Sequence, residues 1–386
     1  MDILQRVQKL NTKMVNTALI YSVITLLGLN YLLYSFFDLG SVRNLVRAAA
    51  AGLMLLLLLL RLADGKIRRR QVLMLLLAAW QILSGGTNGL NIAFLLILTA
   101  AVAGYRECRI ATVVFWVMTG LTALVAASLL LGIEVNEVYT VGTRTRHKLG
   151  FINVNSASMF LFTALADYLL HRGEKVKLPD LAAVLVIEVI AFLFTDSRTP
   201  LLGLLIMVLM YLLMPRIPEN VLRICCRVGI ALLFLSSYLW VLPAVNSPIV
   251  NKILSLRPMY CDEYFRSQSA ISFLLGGSRI KELDNGYLLL LFNTGVIVYT
   301  AIYFMVQTAA EQMLRRREFL PLAYLVAMLA CGLLEGSAVR PELLCAPLLW
   351  VLILEALPGG DEPSYLLVNA QTWLARVMKR RSVQRN

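Results

Sequence analysis

Residues 180–214 read DLAAVLVIEVIAFLFTDSRTPLLGLLIMVLMYLLM. Two apolar runs, 180–196 and 199–214, flank a short polar turn within TDSRTP. Runs close to 20 apolar residues are typical of helices that cross a bilayer. The stretch therefore predicts a hairpin of two membrane-spanning helices.

The composition places the whole chain in the same class. Of its 386 residues, 59% are hydrophobic and 15% are charged, and the mean hydropathy is +0.74. Soluble proteins carry about 25% charged residues, so a soluble class is excluded. We predict an all-α polytopic membrane protein in which residues 1–386 form a single transmembrane domain.

Apolar segments of this kind recur along the chain. With a span length of about 20 residues, the sequence predicts about 12 transmembrane helices. The predicted spans are 14–37, 44–60, 72–86, 89–104, 110–132, 151–170, 180–196, 199–214, 222–243, 286–309, 320–335 and 343–357. An even number of spans places both termini on the same side of the membrane.

The distribution of Lys and Arg sets the orientation of these spans. The densest cationic stretches are 61–70, 171–177, 315–317 and a basic tail at 358–386, and cytoplasmic loops carry the excess of Lys and Arg. Both termini and the tail are therefore expected in the cytoplasm. The same bias explains much of the net charge of +13, so we do not predict nucleic acid as a partner.

The longest connection in this topology is an extracytoplasmic loop at 244–285. It contains the apolar stretch ISFLL at 271–275, which is too short to cross the membrane. We expect this stretch to form a helix that lies along the interface or packs over the bundle.

Cationic and polar residues gather on the outer face in this topology. Arginine stays charged and can hold two phosphate oxygens with its planar guanidinium, so these arginines favour an anionic ligand such as a lipid with a phosphate head. Each arginine could instead pair with a carboxylate or extend to the lipid headgroups. The outer-face residues include Arg144, Arg146, His147, Lys148, Asp196, Arg198, Arg257, Tyr260, Asp284, Asn285, Glu335 and Arg340.

Two charged residues lie within or beside the opening stretch. Arg198 occupies the turn between two apolar spans, where a fixed charge is costly unless it is paired or used. Asp196 could neutralise Arg198, but we favour a functional role. Glu188 lies near the middle of its span; an intramembrane carboxylate is a functional candidate, but here we favour a structural role through protonation or an interhelical hydrogen bond.

Four stretches resemble the superfamily of O-antigen ligases and Wzy-type polysaccharide polymerases. RHKLGFINVNSASMF at 146–160 resembles the family's basic residue and Gly-Phe before a span, and FTDSRTPLLGLL at 194–205 resembles its Ser-Arg at the head of an apolar helix. LDNGYLLLLFNTGVIVYTAIYF at 283–304 resembles its acidic-or-His, Asn, x, Tyr-Leu run with a later Gly, and SLRPMYCDEYF at 255–265 is a weaker match. Asp284 stands where ligases often have His, which favours a polymerase.

The resemblance implies a GT-C-like fold and a metal-independent glycosyltransferase in the bacterial cytoplasmic membrane. The donor would be a glycan on undecaprenyl diphosphate, and the partners would be membrane lipid, a flippase and a chain-length regulator. No metal or nucleotide motif occurs, and the six cysteines show no metal-ligand spacing, so no metal or cofactor is predicted.

This chemistry assigns roles to the outer-face residues. A leaving diphosphate develops negative charge that preorganised guanidinium groups can stabilise, and a base within reach of the acceptor hydroxyl can take its proton. The diphosphate candidates are Arg198 and Arg257, supported by Arg144 and Arg146; the base candidates are Asp284 and then His147; the sugar-binding candidates are Tyr260, Asn285, Tyr287 and Asn155.

Two alternatives remain open. A ligase would use the same donor chemistry and move finished glycan to a different acceptor. A transporter of lipid-linked oligosaccharide would line a route through the membrane with polar groups, and the spans are too apolar for that apart from Glu188.

Overall fold

The computed structural model describes residues 2–37, 39–64, 67–85, 89–104, 109–141, 144–242, 247–253, 256–278 and 283–358. The basic tail predicted at 358–386 lies outside this range apart from its first residue.

The chain folds into helices joined by short connections. The first nine are α1 (Asp2–Ser35), α2 (Gly40–Ala63), α3 (Arg69–Ser84), α4 (Gly89–Val102), α5 (Ile110–Leu130), α6 (Val154–Arg172), α7 (Leu178–Thr195), α8 (Arg198–Leu213) and α9 (Glu219–Leu239). They are followed by α10 (Pro248–Ile253), α11 (Arg257–Arg266), α12 (Ala270–Leu275), α13 (Gly286–Arg315), α14 (Phe319–Cys331) and α15 (Cys345–Ala356). Single 3-10 turns lie at Gly173–Lys175, Met214–Arg216 and Gly336–Val339.

The predicted class, an α-helical membrane protein, agrees with this architecture, and each predicted span overlaps one of the helices. Within the described ranges, six helices are long and apolar enough to cross a membrane. These are Lys13–Ser35, Val42–Ala63, Ile110–Leu130, Leu178–Thr195, Arg198–Arg216 and Gly286–Arg315. The predicted number of about 12 spans goes beyond this set and stays a prediction.

The helix α7 shows how the bundle suits a lipid environment. Its buried residues recur every three or four positions and include Glu188 and Thr195. The opposite face is also apolar, with Val186 57% exposed and Leu193 71% exposed. An apolar outer face is unfavourable in water but matches lipid tails, so polarity on this helix is confined to the side that packs inward.

The helices run up and down, so their connections meet at two ends. At one end, which we call the site end, the backbone N–H of Ile152 donates to the Ser35 carbonyl at 2.7 Å, and Arg43 pairs with Glu342 at 2.9 Å. At the opposite end, the Gly104 N–H donates to Glu355 Oε1 at 3.1 Å. This alternation gathers the predicted outer loops at the site end.

The helix α13 is broken in its middle by Gly295, which has φ 74° and ψ 163°. The segment after α12 enters the break: Gly277 N–H donates to the Asn293 carbonyl at 3.2 Å, and Ser278 N–H donates to the Phe292 carbonyl at 3.3 Å. Trp80 of α3 also donates to the Leu275 carbonyl at 3.1 Å. The expectation that ISFLL forms a helix is confirmed, and of its two expected positions the contacts with α13 and α3 agree with packing on the bundle.

The loop before α6 departs from the all-helical expectation. It forms an antiparallel hairpin of β1 (Val138–Val141) and β2 (Arg144–His147), with Tyr139 opposite Arg146 and Val138 opposite His147. The strand β1 consists only of β-branched and aromatic residues, a composition that favours β-structure. The hairpin fixes which side chains of the basic stretch face the bundle.

Candidate functional site

Arg146 is held by the turn between α7 and α8. Its Nε donates to the Thr195 carbonyl at 2.9 Å, and its Nη2 approaches the Asp196 carbonyl at 3.4 Å. Asp196 ends α7 in the left-handed conformation with φ 48°, which aspartate tolerates better than most residues. The guanidinium of Arg146 therefore satisfies carbonyls that the helix end leaves without partners.

Asn155 connects three elements of the site end. It lies in the first turn of α6, which the Asn153 side chain caps by accepting from the Asn155 N–H at 2.8 Å. Asn155 Oδ1 accepts from Ser197 Oγ at 3.2 Å and from Arg146 Nη2 at 3.5 Å. Asn155 Nδ2 donates to Glu335 Oε1 at 3.3 Å. One amide thus joins the hairpin and the α7–α8 turn to the segment after α14.

Glu335 lies just after α14, and its side chain is only 13% exposed. Burial raises the pKa of the Glu335 carboxyl to about 7; the negative charge of Asp284 adds to this rise, and Arg257 and Arg340 oppose it. The start of α13 packs closely here, because a Cβ at Gly286 would lie 2.9 Å from the Glu335 carbonyl oxygen. Glu335 is thus a carboxyl poised to exchange a proton near neutral pH.

Arg257 brings the long loop into the same place. It is the first residue of α11, and its Nη2 lies 3.2 Å from Asp284 Oδ2 and 3.9 Å from Glu335 Oε1. Its Nε is buried without a hydrogen-bond partner among the described residues. Asp284 keeps 53% of its side chain exposed, so the group is open to solvent on this side.

These contacts form one connected group, which we call the polar cluster. Its members are Arg146, Asn155, Ser197, Arg257, Asp284 and Glu335. Its formal charge is positive with Glu335 protonated and zero with Glu335 ionised. The adjacent, exposed Arg198 makes this end positive in both states, so it can attract an anion. Elsewhere in the described chain and in this cluster, no three His, Cys, Asp or Glu side chains are grouped as a metal site would require.

Arg198 lies beside the polar cluster, because it directly follows Ser197, a member of the cluster, in the sequence. It is the first residue of α8, and its side chain is exposed. Within the described residues it has no hydrogen bond and no ion pair, so no pairing with Asp196 is observed. An unpaired guanidinium at the first turn of a helix adds to the positive end of the helix dipole.

The structure brings Arg146, Asn155, Arg257 and Asp284 together, as the assigned roles require. His147 follows Arg146 in β2, and its Nδ1 is 2.9 Å from Asn136 Nδ2. The backbone of Arg144 is in β2, and its side chain lies outside the described part of the structure.

The sugar-binding candidates divide by exposure. Tyr260 is 45% exposed on α11. Tyr287 is 4% exposed, and its hydroxyl donates to the Leu329 carbonyl at 2.7 Å. Asn285 is fully buried and caps α13 by accepting from the Leu288 N–H at 2.9 Å. The packing therefore places Tyr287 and Asn285 in the protein interior, where both contacts position α13.

Sequence reasoning assigned no role to Glu335 or Ser197. The only signal for Glu335 is its place in the last outer turn, LEGSAVRPE at 334–342. Glu342 lies in the same turn and pairs with Arg43, so this position alone does not identify Glu335 as the residue of the site.

Comparison of the chain with known protein families, characterised proteins and solved structures gives no match. The family resemblance therefore rests on the four motifs, and we carry it forward as a proposal.

Proposed function

We propose that this protein is a polysaccharide polymerase that joins glycan repeat units carried on undecaprenyl diphosphate. The observation that carries the proposal is the polar cluster, which places two arginines and two carboxyl groups at one end of an apolar bundle. In this proposal the bundle has about 12 spans and a GT-C-like fold. It lies in the bacterial cytoplasmic membrane, with the site end outside and both termini inside.

The arginines would hold the diphosphate of the donor. Arg198 is unpaired and exposed, and Arg257 has a buried Nε without a partner among the described residues. Both can donate to phosphate oxygens in bidentate fashion. The leaving diphosphate gains negative charge as its bond to the sugar breaks, so these groups stabilise the transition state more than the bound donor.

Glu335 would act as the general base. The acceptor hydroxyl oxygen forms a bond to the anomeric carbon, and the bond from that carbon to the diphosphate oxygen breaks with its electron pair. The hydroxyl proton passes to the Glu335 carboxylate, whose pKa of about 7 suits proton transfer near neutral pH. Asp284, the first candidate from the sequence, would hold Arg257 through the 3.2 Å ion pair.

The proposal is tested in the native host by deleting the gene and comparing extracted glycans with the lipid-linked pool. Loss of the polymer ladder, with single lipid-linked units accumulating outside the membrane, supports a polymerase. A normal ladder that stays on the carrier lipid would instead identify a ligase. Units trapped on the cytoplasmic face would identify a transporter and remove the catalytic roles.

Arg198→Ala is expected to lower polymer formation by about 10²-fold or more, the cost of removing one preorganised group that stabilises developing charge. Protein levels should not change, because Arg198 has no partner among the described residues. The measurement is the amount of polymer formed by purified protein from lipid-linked units.

The matched control is Arg266→Ala. Arg266 is also an outer-loop arginine, but it is 69% exposed and pairs with Asp262 within α11 at 2.9 Å. It should retain activity within about twofold, since within the described part of the chain the exposed guanidinium of Arg266 makes no contact with the polar cluster. Equal activity of Arg198→Ala and wild type would remove Arg198 from the diphosphate site.

The proposed orientation predicts that a cysteine at Thr145 is labelled from outside the cell. Thr145 lies in β2 at the site end, and its side chain is exposed. An impermeant maleimide added to intact cells should label Thr145→Cys above the background of the native cysteines. Glu174→Cys, an exposed position at the opposite end, should be labelled only after lysis. The reverse pattern would overturn the topology.

A further inference from the structure

A second candidate site lies at the opposite end of the bundle, remote from the polar cluster. A cavity of about 480 Å³ opens between α9 and α13, with Arg227 on α9 and residues from 303 to 315 on α13. This volume is within the range of roughly 300–1,000 Å³ that holds small-molecule ligands. The polar cluster meets the first residues of α13, so the two sites lie at the two ends of one helix.

The cavity is lined by charged side chains near the C-terminal end of α13. Glu311 Oε2 lies 2.5 Å from Arg227 Nη2, and Glu311 Oε1 lies 2.7 Å from Arg315 Nη2. Two guanidinium groups share one carboxylate, which leaves a net positive charge. The side chains of Arg227 and Arg315 are 58% and 56% exposed, and each guanidinium has further N–H groups that can donate to an anion.

The same cavity is apolar and aromatic deeper along the helix. Tyr303 and Phe304 line it, with ring centroids 5.1 Å apart, and Phe304 is 62% exposed. At a rise of about 1.5 Å per residue, Phe304 lies about 16 Å from Arg315 along α13. The lining therefore changes from cationic at the helix end, through the polar residues Gln307, Thr308 and Gln312, to aromatic toward the centre of the bundle.

This gradient matches an amphiphile with a negative head. Arg316 adds positive charge just after the end of α13, so the surroundings also attract anionic headgroups. Arg223 of α9 lies at the same end and pairs with Glu219 at 2.5 Å. A soluble anion would use the guanidinium groups and leave the aromatic part unoccupied. A zwitterionic lipid would fill the apolar part without using the net charge.

We propose that this cavity binds an anionic phospholipid, with its phosphate between Arg227 and Arg315 and its acyl chains against Tyr303 and Phe304. The lipid would come from the leaflet opposite the polar cluster. The proposal does not depend on glycosyl transfer, because it concerns different residues at the other end of α13.

The test is native mass spectrometry of the purified, delipidated full-length protein with phosphatidylglycerol or phosphatidylcholine of identical acyl chains. Phosphatidylglycerol should bind on the order of tenfold more tightly, and sn-glycerol 3-phosphate should not displace it at millimolar concentration. Equal affinity for the two lipids would overturn the proposal. Displacement by glycerol phosphate would show a soluble-anion site instead.

The variant Arg227→Gln/Arg315→Gln should reduce phosphatidylglycerol affinity to that of phosphatidylcholine. The matched control is Arg223→Gln/Arg316→Gln, which removes the same number of positive charges from α9 and from the residue that follows α13, outside the cavity lining. It should bind phosphatidylglycerol like wild type. An equal loss in both variants would show non-specific attraction and overturn the site.

A third variant keeps the test decisive where loss of the arginines impairs folding. Thr308→Trp adds bulk to the cavity lining without changing its charge. It should weaken binding of both lipids on the order of tenfold. Unchanged phosphatidylglycerol binding by this variant would exclude the cavity as the binding site.

Discussion

Glu335→Gln is expected to reduce polymer formation by about 10²–10⁴-fold, the range for loss of a general acid or base. Glutamine keeps the shape of the side chain and can still accept a hydrogen bond from Asn155 Nδ2, which lies 3.3 Å from Glu335 Oε1. It has no carboxylate to take the proton of the acceptor hydroxyl. Protein level and lipid-linked donor binding should therefore change little while turnover is lost.

The pH dependence of polymer formation by the wild type tests the role of Glu335 independently. Burial raises the pKa of the Glu335 carboxyl from its usual 4.5 to about 7, so below neutral pH the group is protonated and cannot act as a base. Activity should rise with pH through about 7 and then level off, with a slope of about tenfold per pH unit on the acid side. The residual activity of Glu335→Gln should lack this acid limb.

Glu263→Gln is the control for this prediction, because Glu263 is an exposed glutamate of α11 near the site end. It should keep the rate and the pH profile of the wild type. A Glu335→Gln variant with the normal rate, or with an unchanged acid limb, would show that Glu335 only positions its neighbours. The role of base would then return to Asp284.

Gly295→Ala is expected to lower the free energy of unfolding by about 3 kcal/mol or more. The conformation of Gly295, φ 74° and ψ 163°, is open essentially only to glycine. A Cβ at this position would lie 2.4 Å from the Gly276 nitrogen and 2.5 Å from the Leu274 carbonyl oxygen. Because both neighbours are backbone atoms, they cannot move without expelling the segment after α12 from the break in α13.

Thermal unfolding of the purified protein in detergent measures this effect, with a drop in Tm of roughly 5 °C or more. Gly229→Ala is the matched control, since Gly229 lies in α9 and a Cβ there meets no atom within 4 Å. Alanine in a helix interior is favoured over glycine by about 1 kcal/mol, so this variant should be as stable as wild type or more so. Equal Tm values for the two variants would mean that the backbone around the break in α13 accommodates the added Cβ without loss of stability.

Several features of the fold could be predicted because they depend on local sequence. The positions of the helices follow from apolar runs and polar turns. The helical hairpin of α7 and α8 follows from the two residues that separate these helices. The helix formed by ISFLL was expected, and its packing over the bundle was one of two expected positions. The β-hairpin at 138–147 was missed, because a short strand pair in a polar loop leaves no strong periodic signal.

The grouping of the candidate site could be predicted only in part. Arg146, Arg257 and Asp284 were chosen because their residue types suit a diphosphate on the outer face. Glu335 received no role, because its position beside Asn155 joins residues 180 positions apart in the chain. A local sequence pattern cannot predict a contact between residues so far apart in the chain. It also cannot predict the burial that raises the pKa of the Glu335 carboxyl.

The amino-acid sequence was sufficient for the membrane class, the helix positions and the presence of arginines in the connecting loops, since hydropathy and charge are properties of each segment alone. The tertiary structure was needed to join Glu335 to Asn155 and Arg257, to bury Tyr287 and Asn285, and to place the segment after α12 in the break at Gly295. Each of these depends on packing between distant segments, in which the environment of a side chain is set by residues from elsewhere in the chain.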